Sequence, residues 1–174
     1  TSQGFSDSSP WSRGQAWAID GFTMCYRFTG KPEYLATAVR AADFFINHKN
    51  LPDDHIPYWD FNIGEFTDYE WAYDPDRFTE EPRDASAAAV TASALLELKD
   101  YVEDPAKARQ YRAAAVKMLT SLASPHYMAE VGDNNYFLLM HSVASVPHDS
   151  SIDKPEAYAD YYFLEALLRL SSEQ

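Results

Sequence analysis

Two kinds of helix alternate along this 174-residue chain, and the alternation restricts the folds open to it. From Trp11 to about Phe28 the helical residues are apolar nearly all round: Trp17, Ile19, Phe22, Met24, Cys25, Tyr26 and Phe28. A thin polar strip runs through Arg13, Asp20, Thr23 and Arg27. Such a helix is expected to be buried on most sides. Thr29-Gly30-Lys31-Pro32 stops it and starts the next. That one, Pro32 to Lys49, is amphipathic: Leu35, Val39, Ala42, Phe45 and Ile46 form one stripe, with Glu33, Thr37, Arg40 and Asn47 turned away. The pair then recurs. An Ala-rich, all-round apolar helix is expected from about Asp84 to Val102, with Asp84 and Ser86 where N-caps belong. After Glu103-Asp104-Pro105, a second amphipathic helix runs from Pro105 to Ala123, and a third mostly buried one from Tyr158 to about Leu170. The starts at Trp11, Asp84 and Tyr158 lie roughly 74 residues apart. Stacked helical hairpins, each with an inner and an outer member, account for this. The last inner helix lacks an outer partner, which points to an incomplete set.

The rest of the composition narrows the function. At 46% hydrophobic and 15% aromatic residues the chain is no disordered segment, and its length suits one domain with a sizeable core. A net charge of −13 disfavours nucleic acid and anionic membranes as partners. Cys25 is the lone cysteine, inside an apolar run, and reads as a small buried thiol. His48, His55, His126, His141 and His148 lack the short helical spacing of a zinc site, and Asp53-Asp54 and Asp74-Pro75-Asp76 lack the pattern of a calcium loop. No Gly-x-Ser-x-Gly and no Gly-rich phosphate loop occurs. Neither a metal nor a cofactor is expected. The chain opens Thr1-Ser2-Gln3-Gly4 without a methionine, so the lack of a leader leaves cytoplasmic and periplasmic settings both open.

Two long connections, about Asn50 to Arg83 and Ser124 to Pro155, separate the hairpins and are expected to form the rim of a cleft. The first carries Pro57-Tyr58-Trp59-Asp60-Phe61 and an acidic, aromatic run through Glu65, Asp68, Glu70, Trp71 and Asp74. The second carries a turn at Gly132-Asp133-Asn134-Asn135 and then Tyr136 to His141, which fits a short strand. Asp7, Asp20, Asp60, Asp84 and Asp153 are the candidate carboxylates for glycoside chemistry, and nothing marks two of them as a pair. Asp84 reads first as an N-cap in an ion pair with Arg83. Ser150-Ser151-Ile152-Asp153-Lys154 fits either a sulfate or carboxylate subsite or an ordinary polar turn.

The densest chemistry sits at Ser9-Pro10-Trp11-Ser12-Arg13-Gly14-Gln15-Ala16-Trp17, with Ser9 as the expected N-cap. An open helix start with a planar cation and flat indoles suits an anionic, ring-shaped ligand. The plain alternative is two core indoles and an arginine bound to a structural carboxylate.

Trp11-Ser12-Arg13-Gly14-Gln15-Ala16-Trp17 resembles the signature of the unsaturated glucuronyl hydrolases. Gln3-Gly4-Phe5, Ile56 to Phe61, Arg83 to Ala89 and Tyr158 to Leu168 extend the resemblance over nearly the whole chain. Gln15-Ala16-Trp17 separates it from the related rhamnogalacturonyl hydrolases, where Asn-Gly-Trp is typical. The resemblance implies an all-α (α/α)6 toroid of six hairpins, with residues 1–174 as the C-terminal part of its single domain. It implies release of a 4,5-unsaturated uronate from acidic oligosaccharides by vinyl-ether hydration. Gln3, Trp11, Arg13 and Trp17 correspond to substrate-binding positions, with Arg13 on the uronate carboxylate. Ser150 and Lys154 lie where some members contact sulfate, although their spacing departs from the family pattern. The family's catalytic aspartates precede the Gln3 position, so this chain is expected to hold the binding wall without the acid. Its exposed inner surfaces should then drive self-association. The competing readings are a sugar-binding module without turnover, a rhamnogalacturonyl hydrolase-like enzyme and a bare helical scaffold.

Overall fold

A computed structural model describes residues 3–64 and 74–173 of the chain. The expected run at Glu65, Asp68, Glu70 and Trp71 therefore lies outside the described residues. Among those described are five α-helices: α1 (Ser12–Thr29), α2 (Pro32–Asn47), α3 (Ala85–Leu98), α4 (Pro105–Leu122) and α5 (Ala157–Ser171). One antiparallel hairpin, β1 (Ser142–Ser145) and β2 (Ser150–Lys154), precedes α5. Gly30 ends α1 in the left-handed conformation at φ 65°, its N–H reaching the Tyr26 carbonyl. Pro32 starts α2 two residues later, so α1 and α2 fold back as a tight hairpin. Asp104 and Pro105 do the same for α4, with the Asp104 carboxylate accepting the Ala106 N–H.

The hub is α3. It packs against α1, α4 and α5, and every residue but Glu97 is buried. Six of its fourteen residues are alanines (Ala85, Ala87, Ala88, Ala89, Ala92 and Ala94), and such small side chains let neighbouring helices approach closely. The inner helices run parallel. Arg13, in the first turn of α1, bonds Asp84 at the start of α3, and Arg27, in the last turn, bonds Glu97 near its end. Arg169, near the end of α5, meets the same Glu97. The outer helices match expectation: α2 buries Ala38, Ala42 and Phe45, and α4 buries Tyr111, Ala115, Met118 and Leu122.

Several expectations need correction. The first inner helix turns its polar strip inward: Arg13, Asp20 and Thr23 are buried, while Met24, Cys25 and Phe28 face outward, Phe28 at 74% exposure. α5 likewise buries only Ala159, Phe163 and Ala166 and exposes Tyr161, Leu164, Leu167 and Leu168. Among the described residues each of these helices is covered on one side only, so apolar residues on the other side meet no protein. Trp11, not Ser9, takes the N-cap position of α1, and it makes no side-chain cap bond. The Ser9 hydroxyl instead donates to Asp60 at 2.7 Å. The 136–141 segment is not a strand. It follows a 3-10 turn at Asn134–Tyr136, and only Leu139 pairs, with Met128.

Candidate functional site

Both long connections fold onto the N-terminal ends of α1 and α3. The Ser12 N–H donates to the Trp59 carbonyl at 3.1 Å, Asp84 N–H to Pro57 at 2.8 Å, and Ala85 N–H to His141 at 3.0 Å. Helix N–H groups that lack intrahelical partners are thereby satisfied by loop carbonyls. Asp60, entirely buried, fastens the same region by accepting the Phe5 N–H at 3.0 Å, the Asn62 N–H at 2.9 Å and the Ser9 hydroxyl. Its bonds are those of a structural clamp.

At the centre is Arg13, 3% exposed. Its Nη1 donates to Asp84 Oδ2 at 3.1 Å and to the Val143 carbonyl, and its Nη2 donates to the Ala144 carbonyl at 2.5 Å. Asp84, wholly buried, uses its other oxygen to cap α3, accepting Ser86 N–H at 3.1 Å, Ala87 N–H at 3.3 Å and the Ser86 hydroxyl. A buried carboxylate requires a countercharge. Arg13 supplies it, whereas the adjacent Arg83 pairs with Asp54. The expected Arg83–Asp84 pair is therefore replaced by one spanning 71 residues of sequence. The guanidinium also does not project as a carboxylate clamp, because Asp84 and two β1 carbonyls hold its terminal nitrogens.

Aromatic rings enclose this pair. The guanidinium lies 4.8 Å from the Trp11 ring centroid and 5.6 Å from that of Tyr158. Trp17 meets Tyr158 at 5.9 Å and Tyr162 at 5.3 Å. Arg13 and Trp17 thus share the face of α1 that turns toward α5, as their spacing requires. Gln3 joins from the chain start, its side-chain amide donating to the Ala144 carbonyl at 3.0 Å. Ser150 and Lys154 stand exposed on β2, paired in register with Ser145 and Ser142 of β1. Gln3, Trp11, Arg13 and Trp17 are therefore brought together, and Ser150 and Lys154 ride on the hairpin that Gln3 and Arg13 hold.

Compared with known proteins, the chain is 46% identical over 169 residues to an unsaturated glucuronyl hydrolase of Formosa agariphila, covering 97% of this chain and 38% of that one. An unsaturated chondroitin disaccharide hydrolase of Streptococcus pyogenes is 34% identical, over 97% of this chain and 39% of the relative. A solved unsaturated glucuronyl hydrolase specific for heparin superposes with TM-score 0.86 at 43% identity, over 99% of this chain and 43% of that structure. Nearly end to end, the chain is similar to unsaturated glucuronyl hydrolases. It spans about two fifths of the length of these relatives, and no family model matches it.

Three further residues shape this site, two of which, Gly14 and Tyr158, lie inside the motifs that carry the resemblance without a role of their own there. Gly14 lies under the Trp11 indole, where an added Cβ would come within 2.7 Å of its Cε3. Tyr158, at the start of α5, faces both Arg13 and Trp17. Burial raises its phenol to about 12; Arg13 opposes the rise, while Asp84 and Glu156 add to it. Glu156, at the N-cap of α5, is also raised by burial, against the pull of Arg13 and with a hydrogen bond from Ser151 of β2. Asp84 and Glu156 thus stand at neighbouring helix starts. The helix ends behind them give that end of the molecule positive potential. A cavity of about 780 Å³ opens at the opposite end, but its cations Arg27, Lys99, Arg112 and Arg169 are paired with Glu97, Asp100, Glu165 and Glu173.

Proposed function

We propose that residues 1–174 form the C-terminal half of a single (α/α)6 domain in an unsaturated glucuronyl hydrolase. The full-length enzyme releases the 4,5-unsaturated uronate from the non-reducing end of lyase-generated acidic oligosaccharides such as those of glycosaminoglycans. A proton is added at C4 of the vinyl ether, water adds at C5, and the hemiketal opens to free the next sugar. The proton donor is an aspartic acid outside this chain. Here Trp11 and Trp17 pack against the sugar ring, and Gln3 lines the pocket. Arg13 serves by fixing the wall, since its terminal nitrogens are engaged and Asp84 matches its charge. Three parallel helix starts support an anionic ligand despite the net charge of −13, because the local field acts within a screening length. Ser150 and Lys154 meet the following residue and its sulfate, if one is present.

The observation that carries this reading is the Trp11–Arg13–Tyr158 stack at the starts of α1, α3 and α5, within a chain that aligns almost end to end with glucuronyl hydrolases. Ultraviolet absorbance of an unsaturated disaccharide tests it. The signal is expected to decay with the full-length enzyme and to persist with the 174-residue chain alone. Decay with the short chain would overturn the division of labour, and persistence with both would leave a binding module.

The exposed Met24 and Phe28 on α1 and Tyr161, Leu164, Leu167 and Leu168 on α5 fit against the remainder of the toroid. Left uncovered, they drive the isolated chain to self-associate. Light scattering that finds a stable monomer at high concentration would contradict this.

A further inference from the structure

Arg13 brings no surplus charge to the wall, because Asp84 bonds its Nη1 at 3.1 Å and both side chains are buried. What favours an anion there is the field of the helix starts. A third ionisable group stands in that field. Glu156 is half-buried at the N-cap of α5, two residues before Tyr158, whose ring lies 5.6 Å from the Arg13 guanidinium. A carboxylate at that position ordinarily caps its helix. Glu156 makes no such bond, and only its carbonyl joins the helix, accepting the Ala159 N–H at 2.9 Å.

The groups that face its carboxyl come from four elements. Arg13 of α1 and Asp84 of α3 act on it through charge, Tyr158 lies beside it on α5, and the Ser151 hydroxyl of β2 donates to it. Burial and Asp84 favour the neutral acid, Arg13 and Ser151 favour the carboxylate, and the balance lies above the ordinary glutamate value. Among the described residues Glu156 forms no ion pair. Arg13 is committed to Asp84, and Lys154, two residues back, stands exposed on β2. Ionised, Glu156 is therefore itself the anion that the α5 start attracts, and Arg13, Asp84 and Glu156 together carry a single negative charge. An arriving uronate meets that charge at close range. With Glu156 neutral the three groups balance, and the helix field is left to the ligand.

We propose that Glu156 couples substrate binding to proton uptake: the uronate binds tightly only while the Glu156 carboxyl is neutral, so one proton is taken from solvent as the anion enters and given back when it leaves. Glu156 is a positioning residue, which sets the pH range over which the wall holds an acidic ring and takes no part in bond making. The coupling rests on the hydrolase reading above.

The test follows KM against pH for an unsulfated unsaturated disaccharide and for its uronate methyl ester, using the full-length enzyme and its Glu156→Gln variant. With wild type, KM for the acid should climb by up to about tenfold per pH unit between the Glu156 values of the free and the bound enzyme. KM for the ester, which carries no charge on that ring, should not follow, and this comparison needs no variant. Glu156→Gln keeps the shape and removes the charge, so its KM for the acid should stay near the low-pH wild-type value across the same range. A climb that persists in Glu156→Gln, a climb shared by the ester, or no climb in wild type would overturn the coupling. If wild-type enzyme turns over neither compound, the hydrolase reading falls instead. The coupling is then read from the dissociation constant of the disaccharide, by quenching of tryptophan emission, with the same slope expected for wild type and none for Glu156→Gln. No quenching at any pH would overturn both.

Discussion

Arg13 in the first turn of α1 and Asp84 at the N-cap of α3 form a buried ion pair, 3.1 Å long, with side chains 4% and 0% exposed. The pair fixes the relative height of two parallel helices, and its two ends continue into the β1 carbonyls and the α3 cap.

Breaking it from one side is expected to be severe. Asp84→Ala strands the guanidinium and removes a cap, for a loss of about 3–5 kcal/mol. Arg13→Met combined with Asp84→Leu should cost much less, because no charge remains buried. Urea unfolding of the two proteins checks this. A single variant no less stable than the double would refute it.

Gly14→Ala tests the contact beneath Trp11. Helix propensity alone would favour alanine by about 1 kcal/mol. The new methyl, however, has to displace a rigid indole whose Cε3 lies only 2.7 Å from its position. Stability should change little, since the two effects oppose. KM for the unsaturated disaccharide should rise and the Trp11 emission should shift. Unchanged KM and emission together would show that the indole tolerates the methyl.

Asp20 provides a pH dependence. Burial raises its carboxyl first, the nearby Glu165 adds, and Arg169 opposes. With the folded value above the unfolded one, the associated stability is complete below about pH 4. It is lost as pH climbs through the folded value. Asp20→Asn carries no such loss, so its melting temperature should gain on wild type as pH rises from about 4 and then level off. A gain that shrinks with rising pH would contradict the sign.

Cys25 separates isolated chain from full-length enzyme. In the chain described it is exposed on the outward face of α1. A thiol reagent should label it fully in the native 174-residue chain and slowly in the full-length protein, if the remaining hairpins cover that face as proposed. Equal labelling rates would mean that α1 stays open to solvent.

Much of the scaffold is legible in the sequence for identifiable reasons. Asp84 before an alanine run, Gly30-Lys31-Pro32 and Asp104-Pro105 are local signals with local causes, and α2, α3 and α4 follow them closely. Which side of α1 is covered is not local. An all-round apolar helix fits either orientation, and only its neighbours decide that Asp20 faces inward and Phe28 outward. The serine-rich strands at Ser142–Ser145 and Ser150–Lys154 carry little β propensity, so the apolar stretch before them draws the strand assignment instead. At the site, Trp11, Arg13 and Trp17 stand out through residue type and spacing. Tyr158 and Glu156 do not, because an aromatic and an acid at a helix start have no pattern that reaches across 140 residues to Arg13.

The alanines of α3 have a geometric consequence beyond packing. Because this helix packs between both inner neighbours and six of its fourteen side chains are methyl groups, it can form the narrow edge of a wedge that broadens toward the bulkier α2 and α4. The wedge angle sets the curvature of the arc, and curvature sets how many hairpins bring an arc round to meet its own beginning. Replacing Ala88 or Ala92 with leucine would flatten the arc and open a gap at the far seam, spoiling ring closure at a distance from the substituted helix.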